Sequence, residues 1–232
     1  MLRAVLATVF ILALAGMLNG QYLVGSAPVP SPAATITWEI ETVDGPRHFI
    51  RLRDRTLRID SAGHPHLAFG GDALYYAHAE AAGWRIEVVD DNPGAGEYAA
   101  LALDQANQPH IRYYDWRNGA LKYAHRTASG WQIATVDDTS HTGHYPAFAL
   151  DRTGYAYLAY YDWTHSALKY ARWDGQGWQI QTIDAQNNAG VAATLSLDDN
   201  DRPHISFFAA ATSHRHLTAC AVDGQRVAGA NG

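Results

Sequence analysis

Residues 101–137, LALDQANQPHIRYYDWRNGALKYAHRTASGWQIATVD, hold one complete copy of a unit that recurs along the chain. Its opening returns as LRIDSAGHPHLAF from Leu57, FALDRTGYAYLAYYDW from Phe148 and LSLDDNDRPHISFF from Leu195. The marker aspartates Asp60, Asp104, Asp151 and Asp198 stand 44, 47 and 47 residues apart. Trp38, Trp84, Trp131 and Trp178 keep the same beat at 46, 47 and 47, each opening a W-x-I-x-x-(V/I)-D segment. Between them lie ALYYAH from Ala73, ALKYAH from Ala120 and ALKYAR from Ala167. One unit therefore contains four short segments rich in aromatic and branched residues and bounded by Gly, Pro, Asn or Asp, the composition of strands. In the last of them Trp131, Ile133 and Thr135 alternate with Gln132, Ala134 and Val136, the period of two of a half-buried strand.

Four strands per unit of about 47 residues, with turn signals between them, define an all-β chain built as a β-propeller of four-stranded antiparallel blades. The two ends are complementary. The chain opens its pattern with a lone tryptophan strand, Trp38–Asp44, and its last repeat stops where such a strand should come after HLTACAVDG. Pairing of Trp38–Asp44 with the strand around Leu217–Ala221 would close four blades into a ring and leave no blade edge open. The alternative is a fragment of a larger propeller. The propeller is expected over residues 37–224, with 225–232 as a small, polar tail.

The repeat resembles the tandem propeller repeats of secreted bacterial surface proteins. Such propellers serve as lectins, as adhesin-like modules and, more distantly, as sialidase-type glycosidases, so the resemblance implies a blade more firmly than an activity. No intact S-x-D-x-G-x-x-W box is present; Asp174-Gly175-Gln176-Gly177-Trp178 has one residue too few between Asp and Trp.

The 232 residues are 47% hydrophobic, 11% aromatic and 17% charged, a folding composition. A net charge of −6 without a basic run argues against a nucleic-acid partner. Cys220 is the single cysteine, which excludes an intramolecular disulfide and thiolate-pair zinc sites. Arg3 precedes an apolar run, Ala4–Met17, shorter than the roughly 20 residues of a membrane-crossing helix and matched to a signal-peptide core. Residues 1–24 are thus read as a signal peptide, cut after Ala13-Leu14-Ala15 or later near residues 31–34, or alternatively as a retained anchor, the only expected link to a membrane. Residues 25–36, rich in Pro, Ser and Ala, form a linker. An exported, extracellular or cell-surface protein is expected.

In a propeller the loops between second and third strands share a face with the loops joining successive blades. Here they carry Asp115, Trp116, Arg117 and Asn118, then Asp162, Trp163 and His165, beside Asp138 and His141 of a joining loop. Aromatic faces among carboxylates, amides and imidazoles suit a sugar, whose C–H face stacks while its hydroxyls hydrogen-bond. These residues are the candidate ligand site, with a glycan or another surface component as the expected partner. Trp116 and Trp163 occur in only two of the four units, so folding should not require them. Trp84, Trp131 and Trp178 mark every unit and should pack against the neighbouring blade, and the pairs Tyr113–Tyr114 and Tyr160–Tyr161 should pack between blades.

Catalysis has thin support. All five glutamates lie at or before Glu97, most aspartates occupy repeated turn positions, and no G-x-S-x-G, Walker or H-E-x-x-H motif occurs. The residues for a sialidase-like arginine triad, Arg112, Arg117 and Arg152, fall on neighbouring units without evident design. His66, His110 and His204 recur with the blade, replaced by Tyr157 in the third, and are expected to be hydrogen-bonded structural residues. The acidic run Asp198–Asp201 lacks the glycine and terminal glutamate of a calcium loop and reads as a solvated turn. No catalytic residue, metal or cofactor is assigned.

Overall fold

A computed structural model describes residues 40–45, 56–139, 141–186, 188–210 and 215–221. The expected leader, linker and tail, and Trp38 itself, lie outside them. The chain divides into two compact units, Met1–Glu41 and Thr42–Gly232, and every described strand belongs to the second.

The repeats fold as four consecutive antiparallel sheets. The first contains β1 (Leu57–Ile59), β2 (Pro65–Gly70), β3 (Leu74–Glu80) and β4 (Gly83–Asp90). The second contains β5 (Glu97–Leu103), β6 (Pro109–Asp115), β7 (Ala120–Thr127) and β8 (Gly130–Asp137). The third contains β9 (Thr142–Leu150), β10 (Ala156–Asp162), β11 (Ala167–Trp173) and β12 (Trp178–Asp184). The fourth has β13 (Val191–Leu197), β14 (Pro203–Ala210) and β15 (Arg215–Ala221). Each sheet is a meander in chain order. Apolar clusters fill the three junctions: Leu74 and Tyr76 pack with Leu101 and Ile111, Leu121 and Tyr123 with Phe148 and Leu158, Leu168 and Tyr170 with Leu195 and Ile205. These are the blades of a β-propeller. The described part of Trp38–Asp44 is not in a strand, and β15 pairs with β14 alone among the described residues.

The marker aspartates explain themselves locally. Oδ1 of each accepts two backbone N–H groups across the turn from first to second strand. Asp60 takes Ala62 and His64, Asp104 takes Ala106 and Gln108, Asp151 takes Thr153 and Tyr155, and Asp198 takes Asn200 and Arg202. Asparagine- and aspartate-type turns of this kind fix the hairpin without help from packing. The acidic run is accounted for in the same way, since Arg202 Nε lies 2.7 Å from Asp198 Oδ2 and Arg152 Nη2 lies 3.1 Å from Asp201 Oδ2.

The recurring histidines sit behind these turns. His110 Nδ1 meets the Tyr123 hydroxyl while Nε2 lies 3.5 Å from Asp104 Oδ2; His66 repeats this with Tyr76 and, at 3.4 Å, Asp60. A neutral ring with its proton on Nε2 satisfies both neighbours. Behind them His66 stacks on His78 and His110 on His125, and in the third blade Arg172 lies 5.3 Å over Tyr157 instead. The structural assignment of His66 and His110 therefore holds.

Their burial makes stability depend on pH. Burial pushes His66, His110 and His125 below the ordinary imidazole value of 6.5, against the pull of Asp60 on His66 and of Asp104 on His110. Below 6.5 the unfolded chain binds protons that the folded chain refuses, so stability falls as pH falls from that point. Asp60 and Asp198, held below 3.8 first by backbone N–H bonds from His64 and Arg202, act in the same direction at lower pH: their stabilisation is present above 3.8 and is lost beneath it. Urea unfolding should show a plateau above pH 7, a decline below about 6.5 that is shallower in His110→Gln, and a second decline below about 3.8. Stability rising between pH 7 and 5 would contradict the assignment.

Candidate functional site

The face carrying the expected ligand residues is built over buried ion pairs. At the third blade Lys169 Nζ lies 3.0 Å from Asp137 Oδ2 and 2.9 Å from Asp162 Oδ2. The Tyr160 hydroxyl donates to Asp137 Oδ2 at 2.7 Å, and Thr139 Oγ1 donates to Asp137 Oδ1 at 2.6 Å. Asp137 ends β8 of the preceding blade, so the lysine ties two blades together at the roots of two loops. The second blade repeats the arrangement: Lys122 Nζ stands 3.4 Å from Asp90 Oδ2 and 3.3 Å from Asp115 Oδ2, and Tyr113 donates to Asp90. Burial alone would push Asp137 and Asp162 up. Bonds from Thr139, Tyr160 and Lys169 to the first, and from Lys169 and His165 to the second, more than offset it and hold both below the ordinary carboxylate value. Lys169, penalised by burial but flanked by both carboxylates, is held above its ordinary value and charged.

Asp115 and Asp162 therefore differ from the expectation that they present oxygens to a ligand. Both are fully buried, paired with Lys122 and Lys169 beneath the loops. Their role is to position the next residues of each loop. Asp115 accepts from Asn118 Nδ2 at 2.7 Å, and Asp162 meets His165 Nδ1 at 2.8 Å.

The rest of the predicted set is at the surface. Trp116 is 47% and Trp163 59% exposed, and Arg117, Asn118, Asp138, His141 and His165 are exposed as well. The backbone N–H of Trp116 donates to the Gly94 carbonyl, and Arg117 lies 5.2 Å over the Trp116 ring. One blade on, the backbone N–H of Trp163 donates to the His141 carbonyl at 3.3 Å, and the ring stands edge-on to Tyr161 at 5.8 Å. Gly94, His141 and Asn188 are repeat equivalents, all with positive φ. His141 also reaches back to the second blade, its Nδ1 lying 3.5 Å from the Tyr114 hydroxyl, and a Cβ at Gly119 would fall 3.0 Å from its backbone nitrogen. The structure thus brings His141 together with both tryptophan loops. Gly96, Gly143 and Gly190 run the joining loops against the preceding blade: a Cβ at Gly143 would stand 2.7 Å from Leu121 Cβ.

Both tyrosine pairs are buried between blades as expected. The ion-pair lysines were not singled out by sequence. Their signal is co-occurrence, since lysine fills the third position of the A-L-x-Y-A segment in the same two blades that end their second strand in Asp, whereas Tyr75 and Thr218 stand there in the blades with Gly71 and Ala209. Of the arginines considered for a triad, Arg112 is buried and donates to the Tyr98 carbonyl, Arg117 covers Trp116, and Arg152 holds Asp201 in a turn on the fourth blade.

Fold and face together define a β-propeller with two tryptophan-bearing loops on one side. No protein-family model and no curated protein matches the chain. Among solved structures it is similar to a protein of unknown function from Dyadobacter fermentans, at 8% identity and a TM-score of 0.53, over 71% of this chain and 51% of that one. The chain thus spans about half the length of that protein. A fucose lectin from Kordia zhangzhouensis matches at 24% identity and TM-score 0.40, over 55% of this chain and 94% of that one. The NanB sialidase from Streptococcus pneumoniae matches at 13% and 0.46, over 68% and 28%.

Proposed function

We infer that this chain is an exported, non-catalytic module that binds carbohydrate through the loops of Trp116 and Trp163. The supporting observation is the exposure of these two indoles on loops whose roots are locked by buried ion pairs. An apolar ring held in place offers a sugar a flat face to stack on and costs the protein little ordering when the sugar arrives. Arg117, Asn118, His141 and His165 supply hydrogen-bonding groups around the rings. Of the three carboxylates in the proposed site, Asp115 and Asp162 are buried and paired with lysines and Asp138 is exposed, so the site lacks the two accessible carboxylates that glycoside hydrolysis uses, which supports binding. Export rests on Arg3, the apolar run and the Pro-rich linker.

A glycan array run beside a fluorogenic glycosidase panel tests this. Trp116→Ala and Trp163→Ala should each weaken binding about tenfold or more. Unfolding free energy should stay within about 0.5 kcal/mol of the parent, because neither ring is part of a blade core. Turnover abolished by a single Asp or Glu substitution would replace this proposal with a glycosidase, and silence in both assays would leave a protein-interaction scaffold. Unprocessed chain found soluble in the cytoplasm would end the export proposal.

A further inference from the structure

The three internal blade junctions share one plan, and the two outer faces of the blade series show both halves of it exposed among the described residues. At the junctions, the inner strand of the later blade lays an apolar residue on the blade before it: Leu101, Phe148 and Leu195 are buried at 0, 7 and 4% exposure. Leu57, their equivalent in the first blade, is 46% exposed, and Ile59 two residues on is 57% exposed. The other half of each junction is the second face of the blade before. There the side chains of His66 and His110 are 9% and 8% exposed, and Tyr114 and Tyr161 are buried. Their equivalents in the fourth blade, His204 and Phe208, are 50% and 40% exposed.

Independently of any ligand, we propose that a second copy of this chain covers these faces, the fourth blade of one copy docking on the first blade of the other. Repeat equivalence carries the assignment. The first blade presents the surface that a preceding blade covers, the fourth presents the surface that a succeeding blade covers, and three such junctions already exist within the chain. Both faces are exposed among the described residues and complement each other, so a second copy brings the matching surface to each. The contact is heterologous, and its closure decides between a ring of two chains and a longer series.

Sedimentation of the full chain should give at least twice the single-chain mass. Leu57→Glu with Ile59→Glu should return it to the single-chain mass with an unchanged far-UV spectrum, because both residues are already exposed in the isolated fold. A Cys220→Ser chain carrying Leu57→Cys and Ser206→Cys reads the same junction directly, since Ser206 is equivalent to Ala159, which packs in the cluster that holds Leu195. Oxidation should join separate chains, as a dimer or a ladder on a non-reducing gel. Should the glutamate variant fail to fold, this cross-link decides alone. A single-chain mass for the parent, a multimer that survives the glutamates in folded form, or a cross-link only within one chain would overturn the proposal.

Discussion

Lys169→Met should destabilise the domain by about 3–4 kcal/mol at neutral pH, toward the lower end of the cost of stranding a buried charge. Asp162 is wholly buried and Asp137 nearly so, and Lys169 is the cation within 3.0 Å of both. Without it two carboxylates face each other under the loops. One escape is available: a carboxyl can take up a proton. Keeping a group of ordinary value 3.8 protonated at pH 7 costs about 4 kcal/mol, which caps the loss, and at pH 5 the same protonation costs only about 1.6 kcal/mol. The penalty of Lys169→Met should therefore shrink by about half or more between pH 7 and pH 5. Adding Asp137→Asn should recover part of it, since the pair of like charges is then gone. Urea titrations of parent, single and double variants at the two pH values measure this. A penalty that is small at pH 7, or that does not change with pH, would show that the cluster is solvated.

The same cluster shows where sequence reasoning reached its limit. The repeat period located every blade, because a marker aspartate that caps its own turn and a tryptophan that opens a strand act over a few residues and look the same in each copy. His66 and His110 were legible for the same reason: a position repeated around the blade series rarely converges on one ligand. Asp115 and Asp162 look like ligand-facing residues in the sequence because each stands at the start of an exposed loop. What buries them is contributed by Lys122 and Lys169 from the next strand, together with Asp90 and Asp137 of the blade before, so their orientation is a property of a junction and not of a repeat. Trp116 and Trp163 were separated from the packing tryptophans by a difference between copies, and their exposure agrees with that separation. The strand expected at Trp38–Asp44 depends on a partner distant in the chain, which a local pattern of alternation cannot supply.

Trp131→Ala should cost about 3–5 kcal/mol, far more than Trp116→Ala, although both remove an indole. Trp131 is partly buried and held by three groups that truncation would abandon. Its ring meets Tyr76 of the preceding blade edge-on at 5.3 Å, Arg126 lies 5.6 Å over its face, and its N–H donates to Glu87 Oε2 at 3.0 Å. Removing it opens a void at the junction between first and second blades and takes one donor from a carboxylate that Arg126 also holds. Trp178 occupies the equivalent place against Tyr123 at 5.2 Å, and Trp173 packs beside it at 5.6 Å. Its truncation should be similarly costly. Phenylalanine substitutions separate the ring from its polar atom. Ala134 stands where the first blade has Glu87, and the Trp178 indole N–H is buried without a hydrogen-bond partner among the described residues. Trp131→Phe loses a charge-assisted hydrogen bond along with some volume, whereas Trp178→Phe loses volume but also removes a buried, unsatisfied donor worth about 1–3 kcal/mol. Thermal and urea melts of the four variants should therefore rank both alanine substitutions as severe, with Trp131→Phe intermediate and Trp178→Phe mildest. Equal losses for the two phenylalanine variants would mean that the Glu87 contact adds nothing to the junction beyond packing.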